Sequence, residues 1–198
     1  SPKSINPIFA STNDVDMDIV KLVFSGLMRY DSQHRLVPDL AVKYDVSADK
    51  KIYTFELRRD VVWHDGEPFT ARDALFTIET IQNAVVNSPL YVSFQGVTVS
   101  ALDDYTIRFV LTEPFSPFLS ALTVGILPEH IWFDIPPEQA RFSNFNLQPI
   151  GTGPFAFKKL AKDDTGYIYS YELNRFDQYF RQSAFLNEFV FQFYSEYE

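Results

Sequence analysis

The stretch HDGEPFTARDALFTIETI, from His64 to Ile81, predicts a turn that leads into a helix. Asp65-Gly66 is a dipeptide that turns favour. Thr70 and Asp73 have the spacing of a capping box, in which the Thr side chain and the acidic side chain each accept a backbone N–H at the start of a helix. Apolar residues then recur with helical spacing up to Ile81. The stretch therefore indicates a structural element that begins at Thr70.

Two pairs of residues invite an enzymatic interpretation, but neither has the pattern that catalysis needs. His64 and Asp65 are adjacent, so their side chains point apart, and the sequence signals no nucleophile or metal partner for them. Asp103 and Asp104 lie between two alternating runs, where turns favour Asp because it hydrogen-bonds its own backbone. The sequence therefore predicts no catalytic residues and no enzyme.

Alternation of apolar and polar residues predicts strands on both sides of the Thr70 helix. Within Lys51–Arg58, for example, Tyr53, Phe55 and Leu57 share one face, which is typical of a half-buried strand. The predicted strands are Lys51–Arg58, Val61–Trp63, Val97–Leu102, Tyr105–Leu111, Phe155–Leu160, Tyr167–Leu173 and Phe189–Tyr194. Together with the helices they predict a mixed α and β (α+β) fold.

A second helix is predicted from Asp14 to Met28, because apolar residues fall on one face of this segment. Asp14, Asp16 and Asp18 would place negative charge at the positive end of the helix dipole. Metal binding by these three acids is the alternative, but they lack the Gly-bearing spacing of a calcium loop. The helix interpretation is therefore favoured, and no metal site is expected.

Composition narrows the class of protein. The chain has 198 residues, of which 46% are hydrophobic and 22% charged, so it has enough apolar residues to form a core. Its formal net charge of −9 disfavours nucleic acid as a partner, since phosphate binding needs clustered Lys and Arg. It has no cysteine, which excludes disulfides and thiolate chemistry. The Gly151-Thr152-Gly153 cluster lacks the lysine of a phosphate loop.

Six stretches, in order along nearly the whole chain, resemble the extracellular solute-binding proteins, family 5, which serve peptide and nickel ABC transporters. The first is Asn6-Pro7 followed by a helix that ends in FSGLMRYD, and the most specific is YTFELR followed by WHDGEPFTARD. The others are PDLA at Pro38–Ala41, ILPEHI at Ile126–Ile131, GTGPF at Gly151–Phe155 and LNRFDQYF at Leu173–Phe180. Any one of these stretches is weak evidence for the family, whereas six of them in the same order along the chain are strong evidence.

The resemblance implies a periplasmic-binding-protein-like lobe with an inserted small α+β domain. Residues 1–32 plus 148–198 are expected to form the first lobe of a clamp and to share one sheet. Residues 33–147 are expected to form the inserted domain. Family members run to more than twice this length, so the resemblance also implies that the second lobe is missing from this chain.

The resemblance implies a substrate-binding component of an ABC importer, which delivers its ligand to the permease subunits of the membrane. The implied protein is an exported, periplasmic or extracellular lipoprotein and a monomer, with no cofactor. Its ligand is an extended oligopeptide or dipeptide that lies in a cleft between two lobes. A nickel chelate or another small solute is the alternative within the family, and a ligand-free interaction fragment is a third possibility.

The position of the cleft in the family implies three groups of ligand-binding residues in this chain. The first is the loop before the Asp14 helix, where backbone groups are expected to pair with a peptide. The others precede the Val97 strand and the ILPEHI stretch. The predicted ligand-binding residues are Phe9, Ala10, Ser11, Thr12, Asn13, Tyr91, Phe94, Thr123, Val124 and Gly125. His34, His64 and His130 are scattered and show no metal-ligand spacing.

Overall fold

The computed structural model of the chain describes residues 1–10 and 13–194. Within these residues, nine strands form three antiparallel sheets. The strands are β1 (Met28–Tyr30), β2 (Leu36–Pro38), β3 (Ala41–Val46), β4 (Ile52–Leu57), β5 (Val97–Asp103), β6 (Thr106–Leu111), β7 (Phe155–Lys162), β8 (Ile168–Arg175) and β9 (Glu188–Gln192). The mixed α and β class is confirmed.

Five α-helices accompany these strands in the described part of the chain, and three of them are a single turn long. The helices are α1 (Asp14–Val23), α2 (Ala71–Gln82), α3 (Tyr91–Phe94), α4 (Phe118–Ala121) and α5 (Glu129–Trp132), with 3₁₀ turns at Pro137–Phe142 and Asn144–Asn146. None of the helices seen in these residues has the length and apolar character needed to cross a membrane.

The largest sheet has the strand order β3-β4-β6-β5 and packs against α2. Residues of β4 alternate as predicted, with Tyr53, Phe55 and Leu57 buried. Phe55 lies opposite Ile107 in the register and meets Phe109 edge to face, with 5.7 Å between ring centroids. Ring and aliphatic burial on this face provides the hydrophobic stabilisation of the sheet.

Helix α2 begins at the predicted capping box, and its acidic residue also serves a second helix. Asp73 Oδ2 accepts the Thr70 N–H at 2.8 Å, while Asp73 Oδ1 accepts the Glu129 N–H at 2.9 Å. Glu129 is the first residue of α5, which has no side-chain cap of its own. One buried carboxylate therefore fixes the starts of two helices that are far apart in sequence.

The predicted Asp14–Met28 helix is too long, because α1 ends at Val23. Phe24 is extended, and the segment after it makes backbone hydrogen bonds on two sides. The Ile126 N–H donates to Ser25 O at 3.0 Å, and the Leu40 N–H donates to Gly26 O at 3.1 Å. These tertiary hydrogen bonds override the helical periodicity of the sequence.

Two other expectations of the sequence analysis are wrong. Val61–Trp63 is not a sheet strand, since it forms only the single bridge between Val62 and Pro68 that closes the turn. Residues 1–32 and 148–198 also share no sheet among the described residues, because β1 pairs with β2 and the β7-β8-β9 sheet stands apart. Strand β3 was missed because it is largely exposed and its alternation is weak.

Residues 1–32 and 148–198 are instead joined where α1 meets the glycines before β7. The Gly153 N–H donates to Val23 O at 2.8 Å. A Cβ atom on Gly151 would lie 1.9 Å from Val23 O, which no relaxation of a flexible side chain could relieve. Glycine at this position thus reflects the close approach of two backbones.

We predict that Asp73→Ala lowers the free energy of unfolding by about 2–4 kcal/mol, because it removes a cap and leaves two backbone donors without their partner. Urea unfolding followed by tryptophan fluorescence measures the change. Asp164→Ala is the matched control at an exposed turn and should stay within about 0.5 kcal/mol. An Asp73→Ala protein as stable as this control would contradict the double-cap interpretation.

Candidate functional site

His64 links the turn at Asp65-Gly66 to the glycine segment before β7 through side-chain contacts. Its Nδ1 atom accepts the Gly151 N–H at 3.2 Å. Its Nε2 atom lies 3.0 Å from Gly153 O, and this contact requires a proton on Nε2. The two contacts together define one neutral tautomer of the ring.

The environment of His64 favours the neutral form of its ring. Burial lowers the pKa of its imidazole from 6.5 to about 4, so the ring is neutral near pH 7 and both nitrogens are occupied by backbone groups. Asp65 turns away and its Oδ2 atom lies 2.9 Å from His130 Nε2. The side chains of His64 and Asp65 thus point to different partners.

A groove of about 620 Å³ opens beside α1 and β1. Its walls come from the end of α1, from β1, from the residues before and at the start of β7, and from the loop that precedes β9. The groove is lined by Val20, Lys21, Phe24, Ser25, Gly26, Met28, Arg29, Tyr30, Asp39, Thr123, Gly125, Pro154, Phe155, Tyr179, Arg181, Gln182 and Ala184. Apolar walls with a few polar groups and this volume are typical of a small-molecule site.

The polar part of the groove is a cluster of one carboxylate and two guanidinium groups. Arg181 Nη1 donates to Asp39 Oδ1 at 3.1 Å, and Arg29 Nε lies 3.4 Å from the same oxygen. Burial raises the pKa of the Asp39 carboxyl, and the charges of Arg181 and Arg29 oppose that rise. The cluster carries one more positive than negative charge when all three groups are ionised.

The predicted N-terminal loop is held in place by buried amides. Asn6 Nδ2 donates to Asn146 Oδ1 at 2.9 Å, and Asn6 O accepts the N–H groups of Phe9 and Ala10 at 3.0 and 2.9 Å. The Asn13 side chain accepts the Asp16 N–H and so caps α1. Backbone N–H groups of Phe9, Ala10 and Asn13 are therefore already bonded within the chain.

If this loop pairs its backbone N–H groups with a peptide, Ser11 and Thr12 are therefore the remaining candidates. Ser11 and Thr12 lie outside the described residues. Phe9 is buried, with the Arg141 guanidinium 4.3 Å from its ring centroid, so it offers a ligand little surface.

The other predicted residues divide between the groove and the core. Thr123 and Gly125 line the groove, and Val124 between them is partly buried. Tyr91 is partly exposed at the start of α3. Phe94 is fully buried in the core and offers no exposed surface to a ligand in this structure.

Four groove residues were missed as candidates: Arg29, Asp39, Tyr179 and Arg181. Arg29 and Asp39 occur in stretches that carried the family resemblance, but no spacing rule linked them to Arg181. Asp39 and Arg181 are 142 residues apart in the chain, so only the fold shows that they meet.

Comparison with known proteins decides the family. The family model for bacterial extracellular solute-binding proteins, family 5 (middle region), matches residues 35–198. The chain belongs to this family. The resemblance described above is therefore confirmed, and the family is one of solute-binding transport proteins rather than of enzymes.

Two of the relatives are named as peptide-binding and dipeptide-binding proteins. A Brucella ovis ABC transporter peptide-binding protein is 40% identical over 144 residues, which cover 71% of this chain and 27% of the relative. The Escherichia coli dipeptide-binding protein is 34% identical over 186 residues, covering 82% of this chain and 34% of the relative. This chain thus spans between about a quarter and a third of their length.

Solved structures agree with the fold. NikZ from Campylobacter jejuni, in complex with Ni(L-His), superposes with a TM-score of 0.87 at 34% identity, covering 97% of this chain and 37% of NikZ. The oligopeptide-binding protein AppA from Bacillus subtilis, in complex with a nonapeptide, has a TM-score of 0.87 at 26% identity, covering 97% of this chain and 38% of AppA.

We predict that His64 makes the chain less stable in acid. Because its folded pKa lies below its ordinary value, its contribution is complete above pH 6.5 and is lost as the pH falls towards 4. Between about pH 7 and pH 4.5 this loss amounts to roughly 2–3 kcal/mol of unfolding free energy. Urea unfolding at both pH values should show a smaller acid loss for His64→Gln than for the unsubstituted chain.

The matched control for this prediction is His34→Asn. His34 is exposed and its backbone has a φ of 58°, a conformation that Asn tolerates. This variant should keep the full acid loss. Equal acid loss in His64→Gln and His34→Asn would show that His64 does not carry the effect.

Proposed function

We propose that the chain is part of the substrate-binding component of an ABC importer. In this proposal the protein binds an extended oligopeptide or dipeptide in a cleft between two lobes and presents it to the permease subunits. The observation that carries the proposal is membership of the family over residues 35–198, with relatives named as peptide-binding and dipeptide-binding proteins. A structural neighbour in complex with a nonapeptide supports the same ligand class.

The domain division belongs to this proposal. Residues 1–32 plus 148–198 would form the first lobe, and residues 33–147 the inserted domain. The four-stranded sheet lies wholly within the second range and the β7-β8-β9 sheet wholly within the first, which supports the division. The β1–β2 hairpin straddles the boundary at residue 32.

In this proposal the ligand contacts two surfaces, the loop before α1 and the part of the groove near Thr123. Ser11 and Thr12 would meet the peptide backbone, a β-augmentation mode that tolerates different side chains. Thr123, with Val124 and Gly125 beside it, would form the adjoining wall. The supporting observations are the partly exposed Thr123 side chain and its place in the groove.

Binding rather than catalysis fits the titratable groups of the chain. His64 contacts two backbone groups, and Asp73 caps two helices. Both residues thus have structural partners. We extend the proposal to an exported, lipid-anchored monomer, as the resemblance implies.

A nickel chelate is the second candidate ligand, because NikZ holds Ni(L-His) and is 34% identical. Among residues 1–10 and 13–194 no group of three His, Asp or Glu side chains could hold a metal ion. In this alternative, these residues would contact the organic part of the chelate rather than coordinate its nickel ion.

Native mass spectrometry of the complete gene product, purified gently after export, tests the proposal. We expect adducts with the masses of short peptides, and sequencing of the released material should show varied side chains. A single adduct with the mass and isotope pattern of nickel bound to histidine would select the second candidate. If the protein carries no adduct and shows no binding of a peptide mixture in calorimetry, both candidate ligands are contradicted.

Residues 1–198 alone should bind the same peptides at least about tenfold more weakly than the complete gene product, because contacts and burial from a second wall are absent. Calorimetry on both proteins measures the ratio. Equal affinities would show that this chain holds the whole site.

A further inference from the structure

The loop before α1 is covered by a side chain from the 3₁₀ turn Pro137–Phe142. The guanidinium of Arg141 lies 4.3 Å from the ring centroid of Phe9. A cation over an aromatic face is attracted by the negative charge of that face. Phe9 is buried whereas Arg141 is exposed, so the guanidinium separates the ring from solvent.

The same guanidinium also reaches the turn before α3, which consists of Asn87 and Ser88. Arg141 Nη2 donates to Asn87 O. The backbone of Asn87 is left-handed, with a φ of 54°, and the Tyr91 N–H that opens α3 donates to Ser88 O at 3.1 Å. One side chain thus joins the loop before α1 to the turn that leads into α3.

Ser88 makes a second link between the same two segments. Its side chain is buried, and its Oγ atom donates to Ile8 O at 2.7 Å. The same atom accepts the Leu90 N–H at 3.2 Å. Ile8 and Phe9 are neighbours in the chain, so the hydroxyl holds the backbone of the loop while the guanidinium holds its ring. A buried hydroxyl that both donates and accepts fixes the geometry of its partners.

A pair of buried amides ties the backbone near Arg141 to the base of the loop. Asn146 Oδ1 accepts from Asn6 Nδ2 at 2.9 Å, and Asn146 Nδ2 donates to Ala140 O at 2.8 Å. Ala140 directly precedes Arg141. The backbone that carries the guanidinium is therefore tied to the same loop, which limits its movement away from the Phe9 ring.

We infer that Arg141 is a positioning residue of the solute site. It fixes the loop before α1, which continues into Ser11 and Thr12, to the turn before α3, which leads to Tyr91. It acts through Phe9 and Asn87 rather than by contact with the solute. Surfaces that are already fixed before binding lower the ordering cost of binding. The inference rests on the proposed function for the role of these surfaces, whereas the contacts of Arg141 are independent of it.

Hydrogen–deuterium exchange of the complete gene product, followed by mass spectrometry without added solute, tests the link. The amides of Phe9 and Ala10 donate to Asn6 O in the loop. Arg141→Gln should speed their exchange at least about fivefold, because loss of the cation and of its hydrogen bond makes local opening easier. Arg141→Lys should give an intermediate rate, since it keeps a cation but lacks the planar fork that reaches two partners. Amides of β4 should be unaffected.

Arg59→Gln is the matched control for this measurement. Arg59 is also exposed, and its guanidinium lies 4.6 Å from the ring centroid of Tyr105 at the β5–β6 turn. This variant should leave exchange at Phe9 and Ala10 unchanged. Unchanged exchange there in Arg141→Gln would overturn the inference. An equal increase in the loop and in β4 would also overturn it, because it would report general loss of stability.

Calorimetry with a pool of random tripeptides connects the loop to solute binding. At a temperature where every variant is folded, Arg141→Gln should bind the pool at least about threefold more weakly than the unsubstituted protein, and Arg59→Gln should bind it equally. Unchanged affinity in Arg141→Gln despite faster exchange at Phe9 would overturn the positioning role. If the unsubstituted protein binds no peptide, the proposed function fails, whereas faster exchange confined to the loop still supports its fixation by Arg141.

Discussion

The close contact between the end of α1 and the glycines before β7 is the constraint on which the arrangement of the chain depends. Gly151 leaves no room for a Cβ atom beside Val23 O, and the Gly153 N–H bonds to that same carbonyl. His64 then closes the contact from the other side by bonding both glycines. Segments that are distant in sequence thus meet at one point, and the groove opens next to it.

This contact explains why the groove lies where it does. Since α1 ends at Val23, Phe24 continues as extended chain into β1 and carries Arg29 to the wall of the groove. Pro154 and Phe155 follow directly after the glycines and form the opposite wall. A longer helix or a bulkier residue at position 151 would displace both walls.

Local features of the fold could be predicted from the sequence, whereas features made by distant partners could not. The Thr70–Asp73 capping box and the alternation of β4 depend on neighbours within a few residues, and both were predicted. The end of α1 depends on hydrogen bonds to residues around 40 and 126, so periodicity alone overextended it. Strand β3 is mostly exposed and left only a weak pattern.

In the candidate site too, some residues could be predicted from the sequence, whereas contacts between distant residues could not. Thr123 and Gly125 were predicted from family position, and both line the groove. Phe94 is buried, and an aromatic residue in a short helix looks the same in sequence whether it faces a ligand or the core. The Arg29–Asp39–Arg181 cluster depends on a contact across 142 residues, which no spacing rule covers.

The shared carboxylate of Asp73 also implies an order of folding. Helix α2 has its own capping residues close by in sequence and is therefore able to form early. Helix α5 has only four residues and is too short to persist alone. Its first N–H bonds to a side chain 56 positions earlier, so we expect α5 to form only after α2 is in place. The residues that lead from the groove to α5 thereby become ordered late.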